Sequence, residues 1–294
     1  MEVAHSLKEV PAPMTAEVAA PRSIAVERVV EGVLADVAAR EAQVSFQDIK
    51  ARSRSMEAPR DAKAALLAPG CSVISEIKRA VPYRGEIARF ASSADMAGFA
   101  VELESVGVRM MAVHTERLRF HGSLEDMAAT RAATSVPMMC RDVIVDPYQI
   151  HEARCYGADI VPLQVELMDQ ARLESLLDRI ESLGMTALLE VRSPDEADRA
   201  LAAGASVIGI NAWTLASDAL YRQAFADIVP GLPESVIRVA IGGVESTRNL
   251  LDYASHGADA VVVGESIVAG TDPLGIARTL VAVGQHPACP SRKA

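Results

Sequence analysis

Apolar residues first recur at helical spacing, at Val26, Val29, Val30, Val33, Leu34 and Val37, with Glu27, Glu31 and Asp36 on the other side. Steps of three and four lay one apolar stripe along a helix, and Ser23 can cap its start. The polar stretch 45–60 predicts a second, short helix. From residue 71 the rhythm changes. β-Branched runs recur at 73–77, 110–113, 136–140, 160–165, 187–191, 207–210, 236–241 and 260–263, starting about 20 to 37 residues apart. Helical patterns lie between them, for example at 173–183, 194–203 and 246–256. Continuous apolar runs suit strands buried on both faces, and intervening helices imply parallel pairing. Eight such units predict an α/β fold, a (β/α)8 TIM barrel with an N-terminal helical extension. A doubly wound open sheet is the competing topology. Against it, no GxGxxG follows the first strand, and glycines instead follow strands seven and eight.

The expected boundaries are a disordered tail at 1–22, the helical extension at 23–70, the barrel at 71–285 and a loose tail at 286–294. Residues 1–21 carry charges before any apolar run and lack a signal-peptide core. Half of the 294 residues are hydrophobic, enough for a sizeable core. The net charge of −10 argues against binding nucleic acid, which needs a basic surface, but leaves room for a small anion in a local basic pocket. The four cysteines form no CxxC and suit neither zinc nor a disulfide scaffold, so a reducing cytoplasm is the simplest location. No apolar run approaches the roughly 18 residues of a membrane span. The six histidines show no metal spacing; His114 and His121 flank the loop after strand two and could approach a site there. No metal, redox cofactor or membrane is expected, and the chain is expected to be a monomer or homodimer.

In such a barrel the chemistry sits at the carboxyl ends of the strands. Strand one ends in Glu76 and Lys78, which alternation puts on one side. They read as an acid–base pair or as a structural salt bridge. Strand three ends in Arg141, a carboxylate or phosphate clamp or a solvated rim charge. Gln164 and Glu166 interrupt strand four on one face, and buried polar groups there need a ligand or an internal network. Glu190 ends strand five and Asn211 strand six, followed by Trp213, the single tryptophan, which can stack on an aromatic ligand or plug a loop. Gly242-Gly243 and Gly264-Glu265 follow strands seven and eight. Such turns expose backbone N–H groups where barrels often bind phosphate.

The runs Ser75-Glu76-Ile77-Lys78-Arg79-Ala80, Phe120-His121-Gly122-Ser123-Leu124-Glu125-Asp126 and Asp146-Pro147-Tyr148-Gln149-Ile150-His151-Glu152-Ala153-Arg154 resemble the indole-3-glycerol phosphate synthase family. Gly209-Ile210-Asn211 and Val263-Gly264-Glu265-Ser266 add to the resemblance, which covers about residues 24 to 285 in order. It implies a cofactor-free lyase of tryptophan biosynthesis. That lyase closes the ring of 1-(2-carboxyphenylamino)-1-deoxyribulose 5-phosphate and releases CO2 and water. It further implies Glu76 and Glu190 as acid/base carboxylates, Lys78 as support for substrate phosphate and proton transfers, and Asn211 as holder of a substrate hydroxyl. Gly243, Gly264 and Glu265 would present N–H groups to phosphate. The pocket departs from the family pattern. The usual general-acid lysine is Arg141, the following phenylalanine is Val143, and Ser-Pro-Ser after strand one is Val81-Pro82-Tyr83. An apolar wall holds Gln164 and Glu166, the arginine of Asn-x-Arg-Asp-Leu is Trp213, and Glu-Ser-Gly is Ile241-Gly242-Gly243. Guanidinium stabilises an anion but hardly donates a proton near neutrality. Changes clustered at the pocket imply a remodelled site, with Tyr83, Val143, Gln164, Glu166 and Trp213 reading the substrate. The alternatives are a repurposed paralogue acting on another aryl-amino sugar phosphate in a specialised pathway, and a non-catalytic phosphosugar-binding barrel. An isomerase of a neighbouring pathway would explain the glycine turns but not the shared runs at 120–126 and 146–154.

Overall fold

The computed structural model describes residues 24–82, 84–88, 90–213 and 219–292. Residues 1–22, the Ser23 cap and Tyr83 lie outside them. Eight parallel strands close into a barrel: β1 (Ser72–Ile77), β2 (Met110–His114), β3 (Met138–Arg141), β4 (Ile160–Gln164), β5 (Thr186–Val191), β6 (Val207–Asn211), β7 (Ile237–Ile241) and β8 (Ala260–Val263). β1 closes the ring by pairing with β8 (Ser72 with Ala260) and with β2 (Ile74 with Met110).

Alternation along each strand decides what fills the barrel. Ile74, Met110, Ala112, Met139, Ile160, Leu188, Val207, Val239, Ile241, Ala260 and Val262 form one buried interior cluster. A step of two residues beyond these positions reaches Glu76, His114, Arg141, Glu190 and Gly264, while Gln164 and Asn211 continue the series four beyond Ile160 and Val207. The interior is therefore apolar below and polar in its last layer, at the carboxyl ends. Intervening residues pack outward on the helices in a second, larger cluster. Gly209 is an interior position without room for a side chain: a Cβ would lie 2.6 Å from Leu188 and 2.7 Å from Ile241.

Three helices precede the barrel: α1 (Ile24–Glu41), α2 (Phe46–Arg54) and α3 (Ala62–Leu66). Ala62 and Leu66 join the interior cluster and stop its lower end. α2 starts at Ser45, whose hydroxyl accepts from Asp48 N at 3.2 Å, and docks on helix Pro147–Cys155 through Ser53 Oγ and His151 Nδ1 at 2.7 Å. Arg40 of α1 pairs with Glu152 of the same helix, and Val29 of α1 reaches the pocket at the barrel mouth. No helix among the described residues is long and apolar enough to cross a membrane.

Several strand ends shift by a single residue, and three boundaries differ for a plain physical reason. β3 starts two residues late because Pro137 has no N–H to give a ladder, and Val136 O instead accepts from Arg60 at 2.6 Å. β4 stops at Gln164 and runs into a 3-10 turn, Val165–Leu167, which takes Glu166 off the strand. The C-terminal segment, expected to be loose, packs on the barrel as far as Arg292. Cys289 and Ser291 are buried, and Arg292 reaches Asp259 at 2.7 and 3.0 Å. The physical reason is Asp259 itself, a fully buried carboxylate that also accepts from Arg238 N at 2.8 Å and needs a cation. A two-stranded hairpin, Ala80–Val81 with Gly85–Glu86, follows β1 and was not foreseen.

Candidate active site

A pocket of about 570 Å³ opens at the carboxyl ends of the strands. Its floor is the polar last layer of the barrel. Arg141 stands at its centre, with Nε on Glu76 Oε1 at 3.1 Å and a guanidinium N–H on Glu190 Oε1. Lys78 Nζ donates to Glu76 Oε2 at 2.7 Å, and His114 Nε2 lies 3.0 Å from Glu76 Oε1. Asn211 Nδ2 donates to Glu190 Oε2 at 3.0 Å. Glu76, Lys78, Arg141, Glu190 and Asn211 thus come together in one hydrogen-bonded group.

The electrostatics of this group decide which member holds a proton. Burial alone would raise the Glu76 carboxyl, but Lys78, His114 and Arg141 outweigh it and hold it well below the usual range. Burial would likewise raise Glu190, yet Arg141, Arg192 and the Asn211 amide bring it below its ordinary value. Both carboxylates are ionised at neutral pH. Burial pulls His114 below the ordinary imidazole value despite Glu76, so the ring is neutral and Nε2–H donates to Glu76. Burial would lower Arg141, but Glu190 and Glu76 push it above its ordinary value, so it stays charged throughout.

Glycine turns shape the rim over β7 and β8. Gly242 and Gly243 have φ of +81° and +74°, a left-handed backbone that glycine adopts without penalty. A Cβ at Gly242 would sit 2.5 Å from the Trp213 indole, so that ring lies directly on the bare turn. A Cβ at Gly264 would lie 2.4 Å from Glu76 Oε2, so glycine lets the β8 turn come close to that carboxylate. Arg84, beyond the hairpin turn, grips Glu265 with two hydrogen bonds of 2.5 and 2.6 Å and offsets its charge beside these turns.

Val143, Gln164, Trp213, Gly242, Gly243, Gly264 and Glu265 all line the pocket. Gln164 Nε2 donates to Asp142 O at 3.1 Å, which leaves Oε1 buried with no donor among the described residues. Glu166 does not line the pocket. The 3-10 turn carries it behind the wall, where it pairs with Arg192 at 2.7 Å. Sequence reasoning missed Arg192 and Asp142, and put His114 beside the loop after strand two as a residue that could approach the site. His114 ends β2, one residue beyond its predicted end, and its ring stacks on Phe120 at 3.9 Å. Arg192 directly follows β5, a strand-end position that the same rule would have covered. Asp142 is pushed up to about 6 by burial, although Thr115 Oγ1 and Val143 N both donate to it; no pattern in the sequence marks that environment.

A sequence model of the indole-3-glycerol phosphate synthase family matches residues 26–280. Proteins named indole-3-glycerol phosphate synthase from Mycolicibacterium gilvum and Mycolicibacterium vanbaalenii are each 54% identical over 264 residues, 90% of this chain and 96% of theirs. Among solved structures, an N-acetylmannosamine-6-phosphate 2-epimerase from Clostridium perfringens superposes with a TM-score of 0.57 over 73% of this chain and 95% of its own. At 14% identity that likeness concerns the barrel alone.

Proposed function

The chain belongs to the indole-3-glycerol phosphate synthase family, and on that premise we propose that it closes the ring of 1-(2-carboxyphenylamino)-1-deoxyribulose 5-phosphate or a close analogue, with release of CO2 and water. One observation carries this reading: Arg141 bridges two ionised carboxylates, Glu76 and Glu190, beside an ammonium and beneath glycine turns. A site that only held phosphate would have no use for that buried charge group.

The phosphate would lie over β7 and β8, against N–H groups of Gly243, Gly264 and Glu265, where the first turn of a helix lacks intrahelical partners. The sugar carbonyl would then stand over the polar layer. In the first step the carboxylate-bearing ring carbon attacks that carbonyl, and the oxygen takes a proton as the new C–C bond forms. Arg141 cannot supply the proton, and neither ionised carboxylate carries one. Lys78 is the donor that remains, 2.7 Å from Glu76. Arg141 stabilises the developing oxyanion as a fixed charge. The ring carbon then loses CO2, its bonding electrons restoring the aromatic ring. Finally Lys78, reprotonated from solvent, gives a proton to the new hydroxyl, which leaves as water, and Glu190 takes the proton released as the indole double bond forms. Asn211 orients Glu190 through its amide. The reaction takes up one proton from solvent and changes no oxidation state beyond what decarboxylation provides, so the chain's own residues suffice to relay its protons.

Mass spectrometry of the product tests the assignment. Lys78→Met and Glu190→Gln should each lower turnover by about 10²–10⁴-fold, the usual worth of a positioned acid or base. Full turnover by either variant removes that residue from the mechanism. A second reading, an analogue bearing an extra hydrogen-bond donor on the ring, is favoured by the unpartnered Gln164 Oε1 in the pocket wall. It predicts that a hydroxylated or aminated aryl substrate outcompetes the plain one, and that Gln164→Leu abolishes the preference.

A further inference from the structure

We infer that Arg192 is the receptor for a carboxylate on the substrate's aryl ring, and that Glu166 is the positioning residue that aims it. The inference rests on the aryl-amino ribulose phosphate reading above and adds the group that recognises the aryl end. Arg192 follows β5, lines the pocket, and has an 11% exposed side chain. Two of its three nitrogens are held from the wall, one by a hydrogen bond and one by an ion pair that lacks hydrogen-bond alignment. Nε donates to Trp213 O at 2.8 Å, and one terminal nitrogen pairs with Glu166 at 2.7 Å from outside the pocket. The other terminal nitrogen turns toward Glu190 Oε2 but stands 4.0 Å away, beyond hydrogen-bond range. A guanidinium anchored on two corners and presenting the third inward is preorganised for an anion.

The other cations of the pocket are committed elsewhere. Lys78 and Arg141 hold the carboxylates of Glu76 and Glu190. Arg84 closes on Glu265 beside the glycine turns, and Arg119 pairs with Glu116 at 3.4 Å. Among the described residues, Arg192 lies between the Trp213 side of the site and Glu190. Trp213 N donates to Asn211 Oδ1 at 3.0 Å, and Asn211 bonds Glu190, so a chain of hydrogen bonds runs from Arg192 through Trp213 and Asn211 to Glu190. With phosphate over β7 and β8, a carboxylate on Arg192 at β5 would set the aryl ring beside the Trp213 indole. The sugar carbonyl would then lie between the two anchors. The unexplained carboxylate of the sequence, Glu166, gains a purpose: it neutralises and orients a buried cation without entering the pocket.

Two unreactive probes test this, both with the sugar ketone reduced to an alcohol so that no ring can close: 1-(2-carboxyphenylamino)-1-deoxyribitol 5-phosphate and its phenylamino counterpart without the carboxylate. Calorimetry measures both affinities, and emission from Trp213, the single tryptophan, gives a second readout at the site. The native protein should prefer the carboxylated probe by about tenfold or more, the scale of one charge-assisted contact. Arg192→Gln should bring the ratio close to one while the phenylamino probe binds within about threefold of native, and Arg192→Lys should give an intermediate ratio. Glu166→Gln should lower the ratio severalfold with the phenylamino probe unaffected, a pattern that loss of structure alone would not produce. An unchanged ratio in Arg192→Gln, or equal weakening of both probes, overturns the assignment of Arg192. Failure of the native protein to bind either probe overturns the substrate reading itself, and this inference with it.

Discussion

Replacing Arg141 by methionine isolates the group on which the site depends. The guanidinium is the one charge shared by Glu76, 6% exposed, and Glu190, 1% exposed. Removing it strands two buried carboxylates. Lys78 and His114 still serve Glu76, while Glu190 keeps Asn211 and a cation 4.0 Å away. Breaking one partner of a buried pair typically costs about 3–5 kcal/mol. For a chain of this size that corresponds to a fall of roughly 5–15 °C in Tm. The sign of the pH dependence follows from the pKa directions. Both carboxyls sit below their unfolded values, so each contributes stability that is present above the unfolded pKa of about 4.3 and is lost as pH falls through the folded pKa. Loss of Arg141 lifts both folded values toward or past the unfolded one. The gap between native and Arg141→Met is therefore widest near pH 7 and narrows as the stranded groups protonate. Urea unfolding at about pH 7 and pH 4.5 measures it. A loss under about 1 kcal/mol at neutral pH, or one that does not shrink in acid, refutes the reading of Arg141 as the bridge between two ionised carboxylates.

Other consequences are as direct. Gly242→Ala forces a Cβ against the Trp213 indole at a positive φ, and should cost about 1–3 kcal/mol and shift Trp213 emission; an unchanged spectrum contradicts the packing of that ring. Asp142 sits at about 6, above its unfolded value, so its ionisation erodes stability as pH rises through that range. Asp142→Asn should accordingly stabilise by roughly 1–3 kcal/mol near pH 7 and by nothing below about pH 4, read as the difference in Tm between the two pH values.

Most of the architecture is legible from hydrophobic pattern because each barrel strand is buried on both faces and its run of β-branched residues stands clear of the helices. The end of a strand is less legible. His114 and Gln164 both end strands, yet one run was read a residue short and the other a residue long, since a buried polar residue looks the same in a strand or in the turn beyond it. That single residue set His114 on a loop rather than in the polar last layer and placed Glu166 inside the pocket. The sequence names Glu76, Arg141 and Glu190 correctly as strand ends, but their mutual contacts depend on barrel closure, which sets β1, β3 and β5 facing one another across the mouth. The packed C-terminal segment was invisible for a similar reason: its partner, Asp259, lies elsewhere in the chain, and only the fold shows that it is buried.

The central claim is that this pocket performs ring closure with a fixed arginine where the family pattern has a lysine. The direct measurement is incubation of the native protein with 1-(2-carboxyphenylamino)-1-deoxyribulose 5-phosphate, following indole-3-glycerol phosphate and CO2 together, with Arg141→Lys alongside. The account predicts both products in equal amounts from the native protein, and their loss in Lys78→Met even when Arg141 is intact. Tight binding of the substrate with neither product, in the native protein and in Arg141→Lys alike, contradicts it.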